Sequence, residues 1–267
     1  MKAEQASTAA TTQISPRLLS LFMAYLHWYL PRHFHSLRIA NADRFPATAH
    51  PLIVCINHPS WWDPLTILML SRFLSPQRYA HAPMEAEALQ HYGFFRKIGA
   101  FPVDNSSDRA GRDFLRQARQ ILARPSANLW MTPEGHFTDV RQRPVLWKHG
   151  AAALSRVVAP CTIVPLAIEY TFWDERLPEI LCSIGEPLSF NADRSETTEQ
   201  RTSALQSAMQ AVQDELSTRA LKRDAALFTP VFSGDTGVSP TYDLWRRLKS
   251  AFQGKPYIAE HGMIAPK

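Results

Sequence analysis

The sequence predicts an α/β fold: a mixed, largely parallel central sheet flanked by helices, preceded by an apolar, membrane-associating helix near the N-terminus. Three observations carry this expectation. Strand-like and helix-like patterns alternate between residues 37 and 227. Residues 51–57 (PLIVCIN) form an unbroken apolar run, the pattern of a strand covered on both faces. Several intervening segments place their apolar residues at helical spacing instead.

Taken in order, residues 1–15 are small and polar and read as a loose tail rather than a signal peptide. Residues 18–30 (LLSLFMAYLHWYL) follow, between Pro16-Arg17 and Pro31-Arg32. A spanning helix needs roughly 20 apolar residues, and this run is shorter. Its aromatics, Phe22, Tyr25, Trp28 and Tyr29, suit a helix half immersed at the headgroup boundary, with Arg17 and Arg32 at its ends. Packing against the domain as a core helix is the alternative. Residues 37–40 and 51–57 are strands, and a helix starts at Asp63-Pro64, with Asp63 as its cap and Pro64 as its first residue. Strands are expected at 78–82 and 100–104, with a short helix at 85–92 between them. Residues 108–124 form an amphipathic helix with Phe114, Leu115, Ala118, Ile121 and Leu122 on one side. A strand at 128–132, a helix at 149–158 and strands at 162–170 and 179–184 follow. A long helix over about 197–227 turns Leu205, Met209, Val212 and Leu216 to the core. The turn-rich end contains one amphipathic stretch, 242–252, which either docks on the domain or anchors at the lipid boundary.

Composition sets limits. An apolar share of 45% and a charged share of 20% over 267 residues are values for a globular chain with a sizeable core. Cys55, Cys161 and Cys182 each sit in an apolar run; an odd, scattered set points to a reducing compartment and to core packing, not to disulfides or a metal finger. The net charge of +5 suits lipid headgroups, the phosphates of coenzyme A or an acidic carrier protein. No basic run or binding motif favours nucleic acid.

The chemistry concentrates in Asn57-His58-Pro59-Ser60-Trp61-Trp62-Asp63-Pro64. A histidine leaves the end of a buried strand, and an aspartate five residues later opens a helix. Such a turn can bring the carboxylate onto the imidazole, fixing its tautomer and freeing the other nitrogen to take a proton. The carboxyl ends of strands are where α/β folds place their sites. The spacing alone is weak: with ten histidines, chance supplies it in roughly every second sequence. A helix cap beside a loop histidine is the plain alternative.

Further segments occur in order. Asn57-His58-x4-Asp63 resembles the first motif of the lysophosphatidate (PlsC-like) acyltransferase family, and Gly99-Ala100-Phe101-Pro102-Val103-Asp104 resembles its second. Thr132-Pro133-Glu134-Gly135 is similar to the Phe-Pro-Glu-Gly core of the third. Val164-Pro165-Leu166 occupies the place of the fourth. The resemblance covers about residues 50–190 and implies an enzyme, with regions at 1–48 (tail, apolar helix, first strand), 49–230 (acyltransferase domain) and 231–267 (tail with amphipathic helix). It further implies that His58 deprotonates an acceptor hydroxyl, that Asp63 orients His58, and that no metal, cofactor or covalent intermediate is needed. Acyl-CoA or acyl carrier protein would be the donor and a lipid the acceptor, at a cytoplasmic-facing membrane surface. Asn57, Phe101, Glu134, Gly135, His136 and Pro165 would contact substrate.

Two departures bear on the acceptor. Asn105 follows Asp104 where the family has an arginine, and His136-Phe137 stand where it has Thr-Arg. Both missing arginines are implicated in holding the acceptor's phosphate, and neither Asn nor Phe offers a guanidinium fork. The expectation is an acceptor other than a simple glycerol phosphate. The competing expectation is that Arg109, Arg112 or Arg141 supplies the charge from a shifted position. His136 reads as a pocket or turn histidine. Trp61 and Trp62 suit either an acyl channel, the lipid boundary or plain packing. A hydrolase is disfavoured by the lack of a Gly-x-Ser-x-Gly elbow, and a non-catalytic lipid binder by the presence of both His58 and Asp63.

Overall fold

The computed structural model describes residues 14–104, 109–192 and 195–234. The segment 242–252 and Asn105 lie outside the described residues. Nine strands form one mixed sheet among the described residues, in the order β4-β3-β5-β2-β6-β7-β1-β9, with β8 paired to β6. The strands are β1 (Ser36–Ala40), β2 (Leu52–Ile56), β3 (Tyr79–Glu85), β4 (Ala100–Val103), β5 (Ala127–Met131), β6 (Cys161–Thr171), β7 (Glu179–Ile184), β8 (Leu188–Phe190) and β9 (Thr229–Ser233). The helices are α1 (Pro16–Tyr29), α2 (Asp63–Leu74), α3 (Ala86–His91), α4 (Ala110–Leu122), α5 (Gly150–Val158) and α6 (Thr198–Lys222). From β4 across to β6 all pairings are parallel; β7 turns antiparallel against β6, and β1 lies parallel to β7. The mixed, largely parallel sheet flanked by helices is therefore the observed architecture.

Two apolar layers cover the sheet. Ile53, Cys55, Leu129, Met131 and Ile163 face the layer containing α4, α5 and α6, while Leu52, Val54, Ile56, Trp130 and Val164 face the layer containing α1 and α2. Alternate residues of β2 thus enter opposite cores, which is why its sequence shows no polar face. Pro165 sits inside β6 without breaking the sheet. It lies where the antiparallel neighbour changes from β8, paired through Ile163, to β7, paired from Leu166, so the missing N–H falls in the gap.

Several boundaries differ from the sequence expectation. The long helix stops at Lys222, because Arg223 takes a left-handed conformation (φ 50°) and Asp224 caps a short turn. The chain then returns as β9, an antiparallel edge strand on β1. Its Pro230 would interrupt an interior strand but is tolerated at an edge. β1, grouped in the sequence with the helix before it, is an interior strand of the sheet.

The connections leaving β2 and β5 part to opposite faces. α2 follows β2 into one layer, and α5 follows β5 into the other. Adjacent parallel strands whose connections diverge leave a crevice at their carboxyl ends. Residues 57–63 and 132–138 occupy it.

Candidate active site

The turn after β2 brings His58 and Asp63 together: His58 Nδ1 lies 2.6 Å from Asp63 Oδ2. Asp63 is fully buried. It opens α2 without capping it, because its carboxylate is turned back into the turn. Ser60 N–H donates to Oδ2 at 3.1 Å, and the Tyr170 hydroxyl donates to Oδ1 at 2.7 Å. Tyr170 also lies 3.1 Å from the Thr66 hydroxyl. Burial, followed by the nearby Asp63 charge, pushes the Tyr170 phenol well above its ordinary range, so it stays protonated and remains a donor. With Nδ1 engaged, the other ring nitrogen of His58 is the one left for a substrate.

The main chain of His58 is held from the neighbouring loop. Its N–H donates to Glu134 Oε2 at 2.8 Å, and its carbonyl accepts from Thr138 N–H at 2.9 Å. Glu134 is buried. Desolvation raises its pKa, against the opposing effect of the His58 N–H. Gly135 adopts φ +72°, and an added Cβ there would lie 2.8 Å from Lys148 Nζ, so the turn that aims Glu134 inward favours glycine. His136 Nδ1 lies 3.0 Å from the Glu134 carbonyl, the geometry of a turn histidine. Phe137 lays its ring 4.4 Å from the His58 imidazole.

Other expected residues are placed away from the reacting centre. Asn57 is buried and clamps β6: its amide donates to the Ile168 carbonyl at 2.9 Å and accepts from Ile168 N–H at 2.7 Å. Its contribution is to extend the β2–β6 ladder by a side chain and fix where the turn begins. Phe101 is buried on β4, three places along the sheet from β2, and stacks on Phe114. Pro165 packs beside Gly185 and Val212 in the core layer. Arg141 makes a two-point contact with Asp139, at 2.9 and 2.8 Å. Arg109 stands exposed at the start of α4. The two tryptophans divide: Trp62 packs edge-on against Phe34, whereas Trp61 is 70% exposed. Tyr170, Ser60 and Thr138 were missed by sequence reasoning; no local pattern marks a strand-end tyrosine as a partner for a carboxylate 107 residues away.

A histidine oriented by a buried, fully bonded carboxylate at a parallel-strand crevice suits general-base chemistry. The acyltransferase family model matches residues 36–169, half of the chain. The chain belongs to the acyltransferase family. A 1-acyl-sn-glycerol-3-phosphate acyltransferase of Streptococcus pneumoniae is 27% identical over 138 residues, which is 50% of this chain and 46% of the relative. The chain thus matches about half the length of that relative. The crystal structure of the 1-acyl-sn-glycerophosphate (LPA) acyltransferase PlsC from Thermotoga maritima superposes with a TM-score of 0.54 at 16% identity, covering 76% of this chain and 79% of that one. That likeness is one of fold. The matched segment includes His58, Asp63 and Glu134, and ends just before Tyr170.

Proposed function

We propose that this acyltransferase moves a fatty acyl group from a thioester, acyl-CoA or acyl carrier protein, to a hydroxyl of a lipid or lysophospholipid acceptor. The observation that carries the reading is the 2.6 Å contact between His58 Nδ1 and a fully buried Asp63. His58 takes the proton of the acceptor hydroxyl as its oxygen attacks the thioester carbonyl. The C–S bond then breaks, and the departing thiolate takes that proton from the imidazolium, giving ester and free thiol. Asp63 stabilises the imidazolium, and Glu134 holds the histidine from the loop side. No metal and no acyl-enzyme enters the scheme.

The acceptor is a lipid other than a simple glycerol phosphate. Phe137 stands over the histidine where the family's second missing arginine would lie, and the nearby Arg141 is already engaged by Asp139. The protein works at a membrane surface, on the cytoplasmic face. No helix among the described residues is long and apolar enough to cross a membrane. Instead α1 buries Leu19, Met23 and Leu26 and exposes Leu21, Tyr25 and Trp28 on its other side, which suits a helix lying in the headgroup layer.

Free thiol release from acyl-CoA and acyl carrier protein tests the reading, using lysophospholipid, glycolipid and hydroxylated lipid acceptors. Release should depend on acceptor and fall about 10²- to 10⁴-fold in His58→Ala. Release without acceptor would instead identify a hydrolase.

A further inference from the structure

A cavity opens behind Glu134, between the loop of residues 134–146 and the buried face of α6. Glu134, His136, Thr138, Asp139 and Gln142 line it from the loop, and Gln213 lines it from α6. It encloses about 40 Å³. One water needs roughly 10–15 Å³ by the same measure, so the space holds a few waters or a small polar group. Gln213 is 6% exposed, and its side-chain oxygen is buried without a hydrogen-bond partner. A buried, unmatched acceptor is costly, and it asks for a donor from whatever fills the space.

The charges around the cavity decide which donor. Its lining includes two carboxylates, Glu134 and Asp139, and no lysine or arginine. The nearby charges largely cancel: Asp139 pairs with Arg141, Asp214 pairs with Arg143 at 2.6 Å, and Lys148 Nζ lies beside Gly135, next to Glu134 in the chain. A phosphate finds no guanidinium fork in that lining, whereas hydroxyl groups can donate to the carboxylates and the amide and accept from Thr138 or Gln142. The cavity shares Glu134 with the histidine turn, so a group seated in it lies one residue from His58. α6 is held against the loop by Gln206 and Gln210, which bond Val145 at 3.0 and 3.4 Å.

From these observations we infer that this cavity is the acceptor's headgroup subsite and takes an uncharged, hydroxyl-rich group, with Gln213 as its specificity-determining residue. The inference rests on the proposed acyl transfer and names its substrate class. Gln213 lies beyond the segment that matches the family model, residues 36–169. The selecting residue therefore comes from a part of the chain outside that shared core.

The test compares two acceptors with the same acyl chain, lysophosphatidylglycerol, which bears a terminal diol, and lysophosphatidate, which lacks it. The native chain should favour the diol-bearing lipid. Gln213→Leu should lower that preference roughly three- to tenfold through KM, with kcat little changed. Gln142→Leu should lower it from the loop side. A purely structural role would instead lower Tm and leave the preference intact, while removal of an unmatched buried oxygen should leave Tm equal or higher. Equal kcat/KM for the two lipids in native and variant chains means that the cavity holds water only, and overturns the inference. If no acceptor supports turnover, the transferase reading fails by itself. Tryptophan-fluorescence titration of the same lipids then decides the subsite: a diol preference lost in Gln213→Leu upholds it, and equal Kd values overturn it.

Discussion

A carboxylate taken out of water is costly unless its oxygens are hydrogen-bonded, and Asp63 meets that condition with three donors. His58, Ser60 and Tyr170 converge on it at 2.6, 3.1 and 2.7 Å. Replacing Asp63 with Asn should permit the wrong histidine tautomer and reduce kcat about 10²- to 10⁴-fold with the fold retained. Tyr170→Phe removes one donor and leaves the dyad, so kcat should fall only about three- to tenfold at unchanged KM. Steady-state kinetics separate the two cases, and equal losses would mean that Tyr170 acts on substrate directly. His58, Asp63 and Glu134 were legible because they sit in short motifs. Asn57 was legible in position but not in role, since its bond to Ile168 spans 111 residues.

At the scale of elements, α1 shows why a half-apolar helix resists assignment from its letters. One side of residues 18–30 packs in the core, and the other carries exposed aromatics that the packing expectation leaves unexplained. Trp28 is 54% exposed, under the Arg32 guanidinium at 4.0 Å, and Leu21 is 70% exposed. Phe22 reaches Phe94 at 4.9 Å, which joins α1 to the turn at Gly93–Ile98 with its Arg96 and Lys97. The combination of apolar surface and flanking cations fits anionic lipid. The double variant Leu21→Glu/Trp28→Glu should keep its Tm yet lose at least about tenfold in co-sedimentation with phosphatidylglycerol vesicles. Undiminished sedimentation would remove α1 from the membrane contact. β9 and β8 were not legible at this scale, because three- and five-residue edge strands bury too little to leave a pattern.

Across the molecule, a second histidine–carboxylate pair ties the far strands together. Glu179 on β7 is buried; His35 Nδ1 lies 2.5 Å away, the Ser36 hydroxyl donates to it, and Arg38 Nε stands at 3.4 Å. The hydrogen bond to Glu179 raises the His35 pKa, with burial opposing it. Burial pushes Glu179 up, but the hydrogen bonds from His35 and Ser36 outweigh it and its pKa falls. The signs define a window. A raised histidine stabilises fully below its unfolded value, roughly 6.5, and the contribution is lost as pH climbs through the folded value. A lowered glutamate stabilises above its unfolded value, roughly 4.3, and loses that contribution as pH drops. Between about pH 4.5 and 6.5 both contribute. His35→Gln should therefore lower Tm by a few degrees near pH 5.5 and by less near pH 9. A pH-independent difference in melting would refute this pairing as the cause.

Short-range physics was readable from the letters alone. Apolar periodicity placed β2, β6, β7, α4 and most of α6, because burial on a strand or helix repeats every two or 3.6 residues. Turn and motif chemistry placed His58, Asp63, Glu134 and Gly135 for the same local reason. Tertiary structure alone decided what those residues meet. Tyr170 reaches Asp63, Glu134 reaches the His58 amide, and Gln213 reaches the cavity behind it only because the sheet order sets β5, β2 and β6 side by side and α6 packs on β6 and β7 beside α5. That order is settled by apolar area buried over the whole chain, a sum that no single segment contains.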